Sequence, residues 1–310
     1  MDYRKLGRSG LTVSAVGLGC NNFNWTTDEA QSRRVVDAAL DAGITFFDTA
    51  NIYGRSGGSE EFLGRALGPR RGRAVVATKF GMQMADGSRG ADRSYIIRCV
   101  EDSLRRLGTD WIDLYQLHES DPTTPIEETL DALDRLIAQG KVRYIGASNM
   151  ADWEIAHAHH LARELGVQHF ISLQAEYSLI RREAEATTIP CLNALGLGLL
   201  PYFPLASGLL TGKYRGGDTG EGRFGKIARL ADRYLTPENL ARVDRIADWC
   251  DQNGLAMTEV AFAWLLSRPV VASVMAGATK PEQVIANAKA AELRLSEAQI
   301  GELEALLQDE

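Results

Sequence analysis

The chain has 310 residues, of which 45% are hydrophobic and 24% charged, and its net charge is −7. No Lys/Arg run is long enough to track phosphates, which excludes nucleic acid as a partner. No apolar run is long enough to span a bilayer, and the start, Met1-Asp2-Tyr3-Arg4-Lys5-Leu6, lacks an apolar signal region. Cys20, Cys99, Cys191 and Cys250 lie far apart, with no C-x-x-C pair and no histidine at ligand spacing, which argues against zinc and against a disulfide framework. A cytoplasmic protein with reduced thiols is expected, and the Arg70-Arg71-Gly72-Arg73 cluster reads as a solvated turn.

Tyr3 to Leu6 and Leu11 to Ser14 flank the turn residues Gly7-Arg8-Ser9-Gly10, so the chain opens with a small β-hairpin. A first strand, Ala15 to Gly19, leads into a helix from about Asp28 to Ala42 with Val35, Val36, Ala39 and Leu40 on one face. The second strand, Ile44 to Phe47, stops at Asp48 and is followed by Tyr53. Ser59 is placed to cap the next helix, with Glu60 and Glu61 in its first turn favourable to the dipole. The third strand, Ala74 to Lys79, ends at lysine. Ser94 to Leu107 carries Ile97, Val100, Leu104 and Leu107 at helical spacing, and the fourth strand, Trp111 to Leu117, delivers His118.

Thr124-Pro125-Ile126-Glu127 reads as a capping box with proline at the first helical position, opening a helix with Leu130, Leu133, Leu136 and Ile137 inward. A fifth strand, Val142 to Ala147, ends in Ser148-Asn149. A sixth, Phe170 to Leu173, ends in Gln174, a seventh, Gly198 to Leu200, ends near Tyr202, and an eighth, Val271 to Met275, ends at Gly277. From Asp48 to Tyr202 the strand ends are 31, 39, 30, 26 and 28 positions apart, close to the roughly 30 residues of a βαβ unit. The longer last interval holds a Gly-rich, charged segment, residues 207–234, read as a long flexible loop over the same face, and then two more helices.

Strict alternation with eight strands predicts one closed (β/α)8 barrel domain over residues 1–310, with the hairpin outside the repeat and a long loop after strand 7. An open dinucleotide-binding sheet would need a third glycine after the first strand, where Gly17-Leu18-Gly19-Cys20-Asn21-Asn22 has asparagine.

Taken alone, an acid after a strand reads as a helix cap and a loop tyrosine as packing. In a barrel, however, Asp48, Tyr53, Lys79 and His118 come from three successive strand ends and meet at one mouth. A lysine ammonium stabilises a phenolate and lowers a tyrosine's pKa, an aspartate orients the lysine, and a histidine donates to an oxygen that becomes negative. Together they suit proton delivery to a carbonyl oxygen as a hydride reaches its carbon.

Asp48-Thr49-Ala50-Asn51-Ile52-Tyr53-Gly54, Ala77-Thr78-Lys79-Phe80-Gly81, Asp113-Leu114-Tyr115-Gln116-Leu117-His118 and Gly146-Ala147-Ser148-Asn149 resemble the signature segments of the aldo-keto reductase superfamily over essentially the whole chain. The resemblance implies an oxidoreductase that reduces aldehydes or ketones with NADPH. Tyr53 would be the general acid, Lys79 and Asp48 would tune it, and His118 would orient the carbonyl. A histidine at 118, where another branch has glutamate, is similar to the carbonyl-reducing members.

It also implies that Ser148, Asn149 and Gln174 hold a nicotinamide carboxamide while Tyr202 stacks on the ring, although by residue type Tyr202 equally reads as core and Asn149 as an N-cap. Leu205, Ser207, Leu210 and Lys213 match a loop over the pyrophosphate. Gly277, Thr279, Lys280, Gln283 and Asn287 match the adenosine-phosphate segment, but many relatives have arginine where this chain has Gln283, so NADH is kept as an alternative cofactor.

Two other readings compete. His157-Ala158-His159-His160 offers an H-x-H, but on a helix residues two apart do not face each other, so a solvated helix face is expected and no metal site. Some relatives are nucleotide-binding, redox-sensing regulatory subunits with little turnover, which gives the alternative function. The expected partner is a small carbonyl compound, met by an aromatic mouth of Phe23, Trp25, Tyr53 and Tyr95, and oligomeric state is not readable from the chain.

Overall fold

A computed structural model describes residues 1–214 and 223–307. The opening hairpin pairs β1 (Tyr3–Lys5) antiparallel to β2 (Thr12–Ser14). Eight parallel strands follow: β3 (Val16–Gly19), β4 (Phe46–Asp48), β5 (Val75–Phe80), β6 (Ile112–Leu117), β7 (Val142–Ser148), β8 (Ser172–Glu176), β9 (Gly198–Tyr202) and β10 (Val274–Gly277). β10 pairs with both β9 and β3, which closes the barrel. The expected fold is therefore observed.

Apolar side chains build two cores. Inside the barrel, Phe46, Leu114, Leu200 and Met275 pack with Leu6 and Val13 of the hairpin, which plugs the end opposite the active-site mouth. A larger core fills the space between barrel and helices. Gly7 lets the hairpin dock: its φ is +57°, and a Cβ there would lie 2.7 Å from Gly196 O and 2.8 Å from Gly198 N.

The helices show where periodicity is a good guide and where it is not. In α1 (Glu29–Asp41), Val35, Val36, Ala39 and Leu40 are buried as expected, and Asp28 caps the first turn. In α3 (Arg93–Leu107), Val100, Leu104 and Leu107 are buried as expected, but Ile97 is exposed and Ile96 is buried in its place, because Ile97 falls at the edge of the helix face that meets the barrel. α4 (Ile126–Ala138) begins one residue later than the capping-box reading: Pro125 is the cap, and the Thr124 hydroxyl donates to Asp121 at 2.7 Å.

Ser59 does not cap α2 (Tyr53–Leu67). Residues 54–57 of that element have positive φ, so the regular turns start later, and the buried Ser59 hydroxyl donates to Cys20 O at 2.7 Å and meets Thr49 Oγ1 at 2.8 Å. Glu60, expected in the first turn against the helix dipole, is buried and accepts from Thr78 (2.6 Å) and Arg106 (2.6 Å).

Three further expectations change. Arg71 is buried, not solvated: it donates to Asp113 at 2.7 Å and stacks on Trp111. β8 and β10 start two and three residues later than read: Phe170 is buried ahead of β8, and Val271 makes an isolated parallel bridge to Leu199 ahead of β10. On α5 (Asp152–Leu165), His157 and His160 are exposed, but His159 is buried and packs edge-on against His169, ring centroids 4.6 Å apart.

The remaining helices are α6 (Thr188–Leu195), α7 (Arg223–Lys226), α8 (Ala228–Tyr234), α9 (Pro237–Asn253), α10 (Met257–Leu266), α11 (Pro281–Ala290) and α12 (Glu297–Leu306). The long segment after β9 is not simply a flexible loop where it is described. A 3₁₀ turn, Ala206–Thr211, and helices α7 and α8 bury Leu209, Tyr214, Phe224 and Tyr234, and Glu176 at the end of β8 accepts from both Arg233 and Tyr234. The part of that expectation on residues 215–222 lies outside the described residues. No helix among the described residues is long and apolar enough to cross a membrane.

Candidate active site

The strand ends bring Asp48, Tyr53, Lys79 and His118 together. Lys79 is fully buried, and its Nζ donates to Asp48 Oδ2 at 2.6 Å and to Thr49 O at 2.9 Å. The same nitrogen lies 5.1 Å from the centre of the Tyr53 ring. His118 meets that ring edge-on at 5.7 Å. Tyr53 owes its position to the backbone after it: four consecutive residues with positive φ, including Arg55 and Ser56, turn the chain away sharply, and non-glycine residues rarely hold that conformation outside functional sites.

The electrostatics follow from burial. Burial lowers the Lys79 pKa, but the charge of Asp48, Tyr53 and the hydrogen bond to Asp48 together outweigh it, so Lys79 stays an ammonium. Burial raises the Tyr53 pKa and Lys79 opposes the rise without cancelling it, so the net direction is upward. The expected lowering by lysine is thus present but outweighed by desolvation, and the phenol carries its proton at neutral pH. Burial and the Lys79 charge push the His118 pKa well below its ordinary value, so the imidazole is neutral.

Asp48, Tyr53 and His118 open into a cavity of about 850 Å³ that runs from the loop after β3 to the start of α11, with Lys79 buried behind them. That lies at the upper end of the roughly 300–1,000 Å³ of small-molecule and cofactor sites. Ser148, Asn149, Gln174 and Tyr202 line it from successive strand ends. Gln174 Nε2 and Ser207 Oγ are buried without a hydrogen-bond partner among the described residues, which fits a ligand offering polar groups along this wall. Asn149, by contrast, uses its side chain as a brace: Nδ2 donates to His118 O (3.1 Å) and Ser148 Oγ (3.0 Å), and Oδ1 accepts from the Tyr202 hydroxyl (2.9 Å). It caps no helix, since Ala151 holds that place in α5.

Leu205, Ser207 and Lys213 line the cavity from the segment after β9, where Phe203, Ala206 and Ser207 have positive φ and fold the chain over the rim. Leu210 is buried beneath that segment and does not face the cavity. At the far end Gly277, Thr279 and Gln283 line it, whereas Lys280 is exposed and Asn287 buried, both outside the lining. Gln283 Oε1 accepts from Thr279 N (2.8 Å), Thr279 Oγ1 (3.1 Å) and Lys280 N (3.2 Å), satisfying the first turn of α11 itself.

The aromatic mouth is smaller than expected. Trp25 and Tyr53 line the cavity, but Phe23 is wholly buried in the outer core and Tyr95 is buried on α3, its phenol pushed up to about 12 by desolvation. Phe203 supplies an aromatic that sequence reasoning missed, and Asn21, Asn22, Thr26, Ile227 and Met275 were missed as lining residues. Gln116 was also missed: its Nε2 donates to Asp48 Oδ1 at 3.1 Å, and the signal available was a polar residue between Tyr115 and Leu117 in a buried strand.

Fold and site together define a (β/α)8 barrel whose C-terminal mouth gathers an aspartate, a tyrosine, a lysine and a histidine beside a long cavity. The family model described as the Aldo/keto reductase family matches residues 15–308, and the chain belongs to that family of oxidoreductases. Among its relatives, "Uncharacterized oxidoreductase YrpG" of Bacillus subtilis (strain 168) is 38% identical over 307 residues, covering 95% of this chain and 92% of the relative. "Probable voltage-gated potassium channel subunit beta" of Oryza sativa subsp. japonica is 37% identical, with 94% and 91% covered. "L-glyceraldehyde 3-phosphate reductase" of Escherichia coli (strain K12) is 34% identical, with 94% and 87% covered.

Proposed function

We propose that the protein is an NADPH-dependent reductase of aldehydes or ketones in which Tyr53 is the general acid. The observation that carries this reading is the buried Lys79–Asp48 pair set against a protonated Tyr53 and a neutral His118. A bound nicotinamide cofactor supplies the hydride. His118 donates a hydrogen bond to the substrate carbonyl oxygen and orients it. Tyr53 gives its proton to that oxygen as negative charge develops there, and Lys79, fixed by Asp48, stabilises the phenolate left behind.

Gln174 and Ser148 are the residues to hold the carboxamide end and Tyr202 the ring face, while Ser207, Lys213 and the start of α11 meet the phosphates. With Gln283 engaged at its own helix start and no arginine in its place, NADH is accepted as a second cofactor. Replacing Tyr53 with Phe should lower kcat for aldehyde reduction by about 10²–10⁴-fold while leaving cofactor affinity, read by fluorescence, unchanged. Near-normal turnover in Tyr53→Phe would remove the assignment.

The substrate is an uncharged carbonyl compound. Among the described lining residues Lys213 is the one cation, and the cofactor phosphates engage it. A panel should therefore give higher kcat/KM for neutral aromatic and aliphatic aldehydes than for a phosphorylated aldehyde such as the one named in the Escherichia coli relative. A preference for the phosphorylated compound would contradict this.

A second reading takes its support from the relatives named as potassium channel β subunits: a nucleotide-binding subunit with little turnover. Steady NADPH oxidation with a generic aldehyde decides between the two.

A further inference from the structure

Asp48 has two carboxylate oxygens, and each has its own donor. Lys79 Nζ holds Oδ2 at 2.6 Å and Gln116 Nε2 holds Oδ1 at 3.1 Å. Lys79 and Gln116 are register partners on β5 and β6, so strand pairing itself sets the two donors side by side against the acid at the end of β4. On β7 the partner of Gln116 is Gly146, where an added Cβ would lie 3.3 Å from Gln116 Cγ and 2.7 Å from Ser172 Oγ. The missing side chain leaves room for the long amide.

Gln116 is fully buried, and the charge beside it fixes which way its amide faces, since the reverse orientation would set Oε1 against the carboxylate. The consequence is that Oε1 has no hydrogen-bond partner among the described residues. An orphaned buried acceptor is destabilising and offsets the hydrogen bond that Nε2 makes to Asp48, so stability alone does not explain a glutamine between Tyr115 and Leu117.

We propose that Gln116 is a positioning residue for proton transfer. An ammonium has three N–H groups. Asp48 Oδ2 and Thr49 O take two from Lys79, and the third remains for Tyr53. By occupying Oδ1, Gln116 keeps Lys79 on Oδ2. Without it, Lys79, already 2.6 Å from the other oxygen of the same carboxylate, turns to share both and withdraws from Tyr53. The inference rests on the reading of Tyr53 as the acid.

The test is Gln116→Leu, with the longer, unbranched Gln116→Met as a second variant if the first does not fold. Three quantities are read: thermal stability, the alkaline titration of Tyr53 taken as the ultraviolet difference from a Tyr53→Phe background, and kcat and KM for carbonyl reduction. The expected result is a Tm equal to or above that of the parent, a Tyr53 titration moved upward by about half a pH unit, and kcat down about tenfold with KM for cofactor unchanged.

A variant with kcat within twofold of the parent and an unmoved titration would overturn the proposal. So would a parallel loss of stability and rate with an unmoved titration, which marks a merely structural role. The titration needs no turnover, so if the parent protein reduces no carbonyl, the functional reading fails while the titration still decides Gln116.

Discussion

At the scale of single residues, the site depends on a lysine that is charged without access to water. Lys79 remains protonated because Asp48 neutralises it and Thr49 O accepts a further hydrogen bond. Replacing Lys79 with Met therefore leaves a buried carboxylate without its counter-ion. Removing one partner of a buried pair costs about 3–5 kcal/mol. Urea unfolding of Lys79→Met should show a loss of this size alongside a loss of turnover, whereas Tyr53→Phe should leave stability nearly unchanged. Equal stability of Lys79→Met and the parent would mean that the pair contributes far less than its geometry suggests.

At the scale of elements, two glycines with similar backbone angles make different demands. Gly7 (φ +57°) and Gly140 (φ +74°) both sit in the left-handed region, where a side chain costs about 1–2 kcal/mol. Around Gly140 a Cβ would meet nothing within 4 Å, but around Gly7 it would meet three backbone atoms within 3 Å. Gly140→Ala should lower stability by about 1–2 kcal/mol. Gly7→Ala should lower it by more, because the hairpin must lift from the barrel end to relieve the contact. Thermal melts of the two variants compare them directly, and equal shifts would show that the hairpin yields without loss.

The same scale explains why Ser59 and Glu60 were misread. Residue type and position mark both as a helix start. A hydroxyl that bonds across to Cys20 O and Thr49, and a carboxylate that meets Arg106 from α3, are decided by neighbours ten or more residues distant.

At the scale of the whole molecule, three histidines are held neutral by burial. Burial lowers the pKa of His118, His159 and His169 below their ordinary value, with nearby cations adding to the shift. In the unfolded chain each titrates near 6.5, so between that pH and the lower folded values the unfolded state binds more protons. Stability is therefore complete above about pH 6.5 and falls as the pH drops through the interval below it. Urea midpoints at pH 7.5 and 5.5 should differ in that direction, and His169→Gln should reduce the difference. A midpoint that rises on acidification would contradict the burial argument.

The sequence by itself determined the alternation of eight strands and helices, because the spacing of apolar runs, glycine stops and polar strand ends is local. It determined Asp48, Tyr53, Lys79 and His118 as one group, because each ends or follows a strand and a barrel turns that order into a ring. The resemblance carried by four short segments then pointed to the family that comparison establishes.

Tertiary structure alone decided the rest. Exposure of Ile97 against burial of Ile96 depends on how a helix is rotated against the barrel, and periodicity tolerates either. The inward burial of Phe23, the buried pairing of Arg71 with Asp113 and the ordering of the described part of the segment after β9 depend on contacts between distant elements. The net direction of the Tyr53 pKa belongs here too: a sequence shows that a lysine is available, but only the packing sets how much water the phenol loses.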